Sequence, residues 1–247
     1  MKIDVGLIGD GKWGSNIKNS LNKISNLKFV IGKNDDFFSK ISENNIKWIF
    51  IATPNSTHYS IVKKCLQKGL NVFCEKPLCL SSLKGKNLIG IAKKKNLKLY
   101  VSDLYDFYSD KKIKFKSENN FYRSKLVNGK DSEFFNRFMY HDVSIFYKFL
   151  KNNPFKKGII NSNKKNKFYN IEIILKKKQV IKFKYDLSLK KKIHIINDYH
   201  IKSKKNLLTE MIYNVLNNKV NFEENNLKAI FIIKFLEIVK KKALHKY

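Results

Sequence analysis

Cysteine, proline and long apolar runs are scarce in this chain of 247 residues. Its three cysteines, Cys65, Cys74 and Cys79, are an odd set without the paired spacing of a metal site, so we expect reduced thiols and no bound metal. No run approaches the roughly 18 to 20 apolar residues that cross a bilayer. A strand-like segment follows Lys2 at once, which argues against a signal peptide. These absences predict a cytoplasmic protein without a membrane partner.

Arginine and acidic residues are also few. The chain has 49 lysines but only Arg123 and Arg137, and 51 basic residues stand against 20 acidic ones, which gives a formal net charge of +31. A nucleic-acid reader uses arginine more often, because its planar guanidinium grips guanine or phosphate through two donors. The lysines are spread along the whole chain, so we interpret them as solvated surface residues and expect no specific nucleic-acid partner. A polyanion-binding module is the alternative that the charge leaves open.

Apolar residues make up 43% of the chain, which is enough for a folded core. In the first hundred residues they alternate between strand and helix patterns. Such alternation requires crossover connections and produces a parallel sheet that is covered on both faces. We therefore predict an α/β fold in which residues 1–105 form a doubly wound Rossmann domain. The predicted strands are residues 3–8, 27–31, 47–52, 70–74 and 97–102.

After Asp103 the strands and helices occur in separate groups, a pattern that is typical of an α+β domain. A helix is predicted over residues 134–150, and two further helices, residues 207–216 and 227–242, close the chain. We predict that residues 106–247 form a smaller second domain with a mostly antiparallel sheet. Its predicted strands are residues 121–126, 158–161, 168–175, 179–185 and 192–197.

A GxGxxG turn follows the first predicted strand and opens the first helix. Gly9 permits the tight turn, Gly11 lets the backbone approach a pyrophosphate, and Gly14 lets the helix and strand pack closely. Lys12 and Trp13 complete the turn and lie in the first helical residues. A phosphate there would face the free N–H groups of the helix N-terminus. The turn therefore predicts dinucleotide binding.

The choice between NAD and NADP stays open at this level. A Rossmann domain carries an acidic residue about 20 positions after the glycines, which binds the ribose 2′-hydroxyl of NAD. Asp35 or Asp36 could take that role, and we assign it to Asp35. If Lys33 lies there instead, it could pair with the 2′-phosphate of NADP.

Two further segments lie at the carboxyl ends of predicted strands, where open parallel sheets bind ligands. Ala-Thr-Pro-Asn-Ser-Thr-His occupies residues 52–58, and Cys-Glu-Lys-Pro-Leu occupies residues 74–78. Together with the glycine turn they resemble the Gfo/Idh/MocA family of NAD(P)-dependent oxidoreductases. The resemblance continues through His-Asp-Val-Ser-Ile at residues 141–145, which is similar to a helix that lines the family's active site.

The resemblance implies an enzyme that transfers a hydride between NAD or NADP and a secondary alcohol of a sugar, nucleotide sugar or cyclitol. Lys76 would contact the substrate hydroxyl, and His141 would be the general acid or base. Asp142 would border the same substrate. The resemblance also implies a homo-oligomer that forms through the C-terminal sheet. Residues that would flank the cofactor are Gly9, Gly11, Lys12, Trp13, Gly14, Asp35, Thr53, Pro54, Asn55, His58, Glu75, Lys76 and Pro77.

The chain departs from the family pattern in two places. Catalytic members commonly carry an aspartate one helical turn before the histidine, and here that position holds Arg137. A guanidinium cannot accept a proton, but it could grip an acidic group on the substrate. The region after Asp103 is also shorter than the family's usual second domain. Both departures keep open a catalytically inactive dinucleotide sensor or partner subunit.

Overall fold

The computed structural model describes residues 2–32, 40–41, 44–107, 113–126, 135–151, 155–163, 167–175, 179–201 and 206–244. The chain forms two compact units, of which the first contains residues 1–107 and 206–234. The second contains residues 108–205 and 235–247. The predicted division at residues 105 and 106 differs from this packing, because the segment 206–234 returns to the first unit.

The first unit is built on a parallel sheet of five strands in the order β2-β1-β3-β4-β5. The order reverses direction between β1 and β3, which makes this the doubly wound arrangement that the sequence predicted. All four residues of β3 are buried, as expected for a strand covered on both faces. The strands are β1 (Asp4–Ile8), β2 (Asn26–Ile31), β3 (Trp48–Ile51), β4 (Asn71–Cys74) and β5 (Leu99–Val101).

Amphipathic helices cover this sheet. In α1 (Lys12–Ile24) the residues Ile17 and Leu21, four positions apart, are fully buried. The C-terminal helices contribute to the same core, where Met211 packs with Val5 and Phe50. The remaining helices of this unit are α2 (His58–Gln67), α3 (Ser82–Lys94), α5 (Leu207–Leu216) and the first part of α6 (Phe222–Leu244).

The second unit contains a mixed sheet of six strands in the order β11-β10-β6-β9-β8-β7. Four of the five strand pairs are antiparallel, whereas β6 and β9 run parallel. The sheet is therefore mostly antiparallel, as predicted. The strands are β6 (Glu118–Ser124), β7 (Phe155–Asn163), β8 (Phe168–Leu175), β9 (Val180–Asp186), β10 (Ile193–Ile196) and β11 (Tyr199–His200).

A helix of the second unit packs on this sheet. It begins with a π-helical turn, Phe135–Met139, and continues as α4 (Tyr140–Lys151). Phe146 of α4 contacts Phe121 of β6 with ring centroids 4.8 Å apart, and Phe121 contacts Phe183 of β9 at the same distance. Alternate residues of β8 are buried, which matches the two-residue period of a strand with one covered face. Within the described ranges, no helix is long and apolar enough to span a bilayer.

Candidate functional site

The loops that the sequence singled out meet at one edge of the first sheet. Backbone hydrogen bonds continue the ladder by one residue beyond the strand ends: Gly9 N–H donates to Ile31 O at 2.8 Å, and Glu75 N–H donates to Ile51 O at 2.9 Å. In the same way Ala52 N–H donates to Ile8 O, and Ser102 N–H donates to Cys74 O, both at 2.8 Å. Gly9, Ala52, Glu75 and Ser102 therefore form a row at the carboxyl edge of the sheet, where this fold class binds ligands.

The three glycines of the turn meet different steric demands. Gly9 has φ of +107°, and a Cβ there would lie 2.5 Å from Ala52 O. A Cβ on Gly14 would lie 2.0 Å from Gly9 O, so the helix can approach the turn only without a side chain at this position. Around Gly11 no atom lies within 4 Å of a built Cβ. The backbone of Gly11 thus borders open space, which a bound group could fill.

The N-terminus of α1 suits an anion. Gly11 is the N-cap residue, no side chain caps the helix, and its first turn carries no acidic residue. Uncapped N–H groups and the positive end of the helix dipole favour a phosphate at this place. Lys12 and Trp13 of the first turn are exposed, with 40% of Trp13 accessible. This arrangement fits the pyrophosphate of a dinucleotide.

The loop after β3 is braced by its own side chains. Thr57 precedes α2, and its hydroxyl oxygen lies 2.8 Å from both Thr53 Oγ1 and Pro54 O, within hydrogen-bond distance of each. Pro54 is exposed, while Thr53 and Asn55 are partly buried. The loop thus presents a short rigid segment beside the glycine turn.

His58 joins this loop to the next one. The side chain is fully buried, with Nδ1 2.7 Å from Pro77 O and Nε2 2.9 Å from Thr53 O. Both contacts are with backbone carbonyl oxygens, which only accept hydrogen bonds. The ring therefore ties the loop after β3 to the loop after β4. The sequence placed His58 beside the cofactor, and its position at the start of α2 gave no sign of this bridge.

Glu75 is a buried carboxyl group beside Lys76. Burial raises the pKa of Glu75 above its ordinary value, and hydrogen-bonding interactions with Trp13 and Ser102 oppose that rise. Oε2 lies 3.3 Å from the backbone N–H of Lys76. Oε1 is buried without a hydrogen-bond partner among the described residues. Lys76 itself is half-buried, and the Lys76–Pro77 peptide bond is cis.

A buried ion cluster supports the end of β5. Lys228 of α6 is 7% exposed, and its Nζ lies 2.8 Å from Asp103 Oδ2 and 2.6 Å from Asp106 Oδ1. Asn225, one turn earlier on α6, makes two hydrogen bonds with the backbone of Val101. No local sequence pattern indicates this cluster, because its ion pairs join residues more than 120 positions apart.

The buried cysteines show no sign of nucleophilic chemistry. Burial raises the pKa of Cys65 to about 12, and burial also raises the pKa of Cys74 well above its ordinary value. Neither thiol is ionised near neutral pH, so neither is a nucleophile there. Within the described part of the chain, no group of three or more His, Cys, Asp or Glu side chains could hold a metal ion.

The side chains of two predicted site residues, Asp35 and Arg137, lie outside the described part of the structure. Asp35, together with the competing positions Lys33 and Asp36, lies outside the described residues. Arg137 lies in the π-helical turn before α4, and its side chain is outside the description. In an α-helix Arg137 would stand one turn before His141. In a π-helical turn the backbone hydrogen bonds join residues five apart. The predicted spacing of one helical turn between Arg137 and His141 is that of an α-helix, so it does not apply directly here.

His141 and Asp142 lie in the first turn of α4, in the second unit. His141 is half-buried. Asp142 is fully buried and is bound by Arg123, Tyr185 and His194. These contacts occupy its carboxylate inside the unit, and the place of Asp142 beside a substrate stays a prediction.

Residues 18–103 match the family model described as "Oxidoreductase family, NAD-binding Rossmann fold". An uncharacterized oxidoreductase of Bacillus subtilis is 45% identical over 53 residues, which cover 22% of this chain and 14% of that protein. Matches to the curated relatives span between 14% and 34% of their lengths. The Rossmann fold and NAD(P) as the class of cofactor, both predicted from the sequence, are confirmed.

Solved structures extend the likeness in fold to nearly the whole chain. UDP-N-acetylglucosamine 3-dehydrogenase from Acidithiobacillus ferrooxidans has a TM-score of 0.81 at 15% identity, with 98% of both chains covered. GenD2 from gentamicin A biosynthesis, in complex with NAD, has a TM-score of 0.79 at 11% identity, with 98% of this chain and 94% of that chain covered. At these identities the likeness establishes the fold.

Proposed function

We propose that the chain, whose residues 18–103 match the NAD-binding Rossmann model of the Gfo/Idh/MocA oxidoreductases, is a dehydrogenase or reductase of secondary alcohols. The proposed substrates are sugars, nucleotide sugars or cyclitols. The dehydrogenases of similar fold support this class, since one acts on UDP-N-acetylglucosamine by its name. When bound, the nicotinamide would supply the site that accepts or donates the hydride.

The bridge made by His58 is the observation that carries the proposal. It holds the carbonyl oxygens of Thr53 and Pro77 on one ring, and so aligns two loops that stand beside the glycine turn. Alignment of this kind orients reactants and lowers the entropic part of a barrier. We propose that Gly9, Gly11 and the first turn of α1 hold the pyrophosphate.

Lys76 and His141 are the proposed groups for proton transfer. A substrate alcohol must lose a proton as it is oxidised, and a positioned side chain that takes or relays it accelerates the step. We assign the contact with the substrate hydroxyl to the Lys76 ammonium group, and Glu75 orients the Lys76 backbone through the contact at 3.3 Å. His141 is assigned as the general base, since an imidazole titrates near neutral pH.

The alternative is a dinucleotide-binding protein without turnover. Arg137 favours it, because this side chain replaces the carboxylate that the family pattern places before the histidine. An enzyme oxidises or reduces a member of a panel of sugars and nucleotide sugars, whereas a sensor binds the cofactor without hydride transfer. Arg137 in an active enzyme would pair with an acidic group of the substrate, such as a uronate or a phosphate.

The test separates cofactor binding from chemistry. Gly11→Ala adds a methyl group that meets no protein atom within 4 Å, so we expect only the small loss of stability that alanine causes at an N-cap, and a weaker affinity for NAD(H) or NADP(H). Gly90→Ala, on the exposed side of α3, is the matched control and should leave the affinity unchanged. The measurement is cofactor fluorescence titration of the two variants. Wild-type protein that binds neither cofactor would end the proposal.

Lys76→Ala tests the chemistry. We expect it to lower kcat by roughly 10²-fold or more, as for loss of a group that handles a proton, with the cofactor affinity retained. Lys86→Ala removes an exposed lysine of α3 and serves as the control. Steady-state rates on the substrate panel are the measurement, and an unchanged rate would remove Lys76 from the mechanism.

A further inference from the structure

The fully buried carboxylate of Asp142 lies next to His141 and takes hydrogen bonds from three strands of the second sheet. Arg123 Nη2 of β6 lies 2.5 Å from Oδ1, and the Tyr185 hydroxyl of β9 donates to Oδ2 at 2.9 Å. His194 Nε2 of β10 lies 2.8 Å from Oδ1. Both oxygens of the carboxylate are therefore engaged inside the unit.

The three partners of Asp142 lie in a single row across the sheet. In the register of β10 with β6, His194 stands directly opposite Arg123. In the register of β6 with β9, Arg123 stands directly opposite Tyr185. Directly opposed residues of neighbouring strands project on the same face. The strand pairing thus builds a row of three polar side chains that converges on one position of α4.

The protonation states within the row are consistent with one another. The guanidinium of Arg123 balances the buried charge of Asp142, and although burial alone would raise the pKa of this carboxyl, Arg123 and His194 hold it well below its ordinary range. A carboxylate only accepts, so Nε2 of His194 carries the proton toward Asp142. Arg123 Nη2 lies 3.1 Å from Nε2 and 3.3 Å from Nδ1 of the same His194 ring. Burial lowers the pKa of His194, and the neighbouring Asp142 opposes this shift.

This geometry fixes the first turn of α4. Successive residues of an α-helix are about 100° apart around its axis, so clamping Asp142 sets the direction in which the neighbouring residue leaves the helix. That neighbour is His141, which is half-buried and follows the π-helical turn. A buried ion pair with further hydrogen bonds resists rotation, because any shift leaves buried charges unpaired.

We propose that Asp142, held by the row Arg123–Tyr185–His194, is the positioning residue that orients the imidazole of His141. The inference rests on the proposed function in one respect: the oriented His141 imidazole serves as the general base. Asp142 acts through the backbone of α4 and does not contact the substrate.

The experiment uses the full-length protein labelled with ¹³C and ¹⁵N at histidine, with the His141 ring signal assigned from His141→Gln. Tyr185→Phe removes only the hydroxyl that binds Asp142, and Asp142→Asn weakens the whole cluster. We expect both variants to shift the ring signal of His141. Asp198→Asn, which changes an exposed ion pair with Lys116 in the same unit, should leave it unchanged.

Kinetics provide the second measurement. We expect Tyr185→Phe and Asp142→Asn to lower kcat by about 10- to 100-fold, the order of loss for a misplaced catalytic group, with the cofactor affinity unchanged. Should Asp142→Asn fail to fold, Tyr185→Phe still decides the question. A folded Tyr185→Phe variant with the wild-type His141 signal overturns the positioning role. Failure of the proposed function gives a different result. In that case the wild-type protein turns over no substrate of the panel, while the His141 ring signal still shifts in the variants.

Discussion

At the scale of single residues, His58 does more than begin a helix. Its ring is fully buried and is the common partner of Thr53 O and Pro77 O. The two carbonyls belong to loops that follow different strands, so neither loop can move without breaking a contact to the same ring. His58 is therefore a structural part of the candidate cofactor site.

His58→Ala should destabilise the first unit and loosen both loops. Loss of the ring removes the N–H donor from a carbonyl group that it contacts, and an unsatisfied buried carbonyl costs about 1–3 kcal/mol. We expect a lower free energy of unfolding in urea and a weaker affinity for the dinucleotide. His200→Ala, an exposed histidine of β11, is the control. Equal stability and affinity in the two variants would show that the bridge is dispensable.

A second residue-scale prediction concerns His194 and acid. Burial lowers the pKa of His194 below its ordinary value of 6.5, and Arg123 and Lys192 lower it further, while Asp142 opposes the shift. As the pH falls through 6.5, the unfolded chain takes up a proton before the folded chain does. The free energy of unfolding therefore decreases on acidification, and the stability is fully present only above this pH.

His194→Gln should remove this loss of stability. We expect its free energy of unfolding to change less between about pH 7 and pH 5 than that of His200→Gln, measured by urea titration at each pH. The comparison cancels the contributions of Glu75 and Asp106, whose pKa values are raised by burial and which act in the opposite sense. An identical dependence of the free energy of unfolding on pH in the two variants would contradict a lowered pKa of the buried His194.

At the scale of elements, α6 anchors the end of β5. Asn225 pairs with the backbone N–H and C=O of Val101, as a neighbouring strand would. Lys228 places its ammonium group between Asp103 and Asp106, and these two carboxylates raise its pKa although burial lowers it. One helix thus closes the edge of the sheet through side chains alone.

Lys228→Met should destabilise the first unit by about 3–5 kcal/mol, because it leaves buried carboxylates without a counter-charge. Lys234→Met changes an exposed lysine of the same helix and should have little effect. The double variant Lys228→Met with Asp103→Asn should recover part of the loss, since it removes one unpaired charge. Chemical unfolding of the three variants tests this, and the absence of recovery would argue against the ion pair as the cause.

The helices and strands of the first unit were the most predictable elements. Their apolar periodicity is local, and the five observed strands fall within the predicted segments except for one residue, Asn26, at the start of β2. After residue 107 two helix bounds differ from the prediction: a π-helical turn occupies Phe135–Met139, and α6 begins at Phe222 rather than Leu227. The parallel pairing of β6 with β9 was not predicted, because it depends on contacts between distant segments.

At the scale of the whole molecule, the lysine-rich composition is a property of the surface. The lysine runs at residues 93–95 and 190–192 are exposed. The long lysine side chains keep their ammonium groups in water, so these residues need no buried counter-charge. The buried ionised groups are exceptions, and each of those described above has a counter-charge: Lys228 with Asp103, and Asp142 with Arg123.

The amino-acid sequence by itself determined the Rossmann sheet, the glycine turn and the order of loops at its carboxyl edge, because these follow from local periodicity and from residues a few positions apart. Only the tertiary structure decided how charge is distributed in the interior. The bridge at His58, the anchor at Lys228 and the row around Asp142 each join residues that are distant in sequence. Such contacts depend on strand order and register, which long-range packing sets and no short segment encodes.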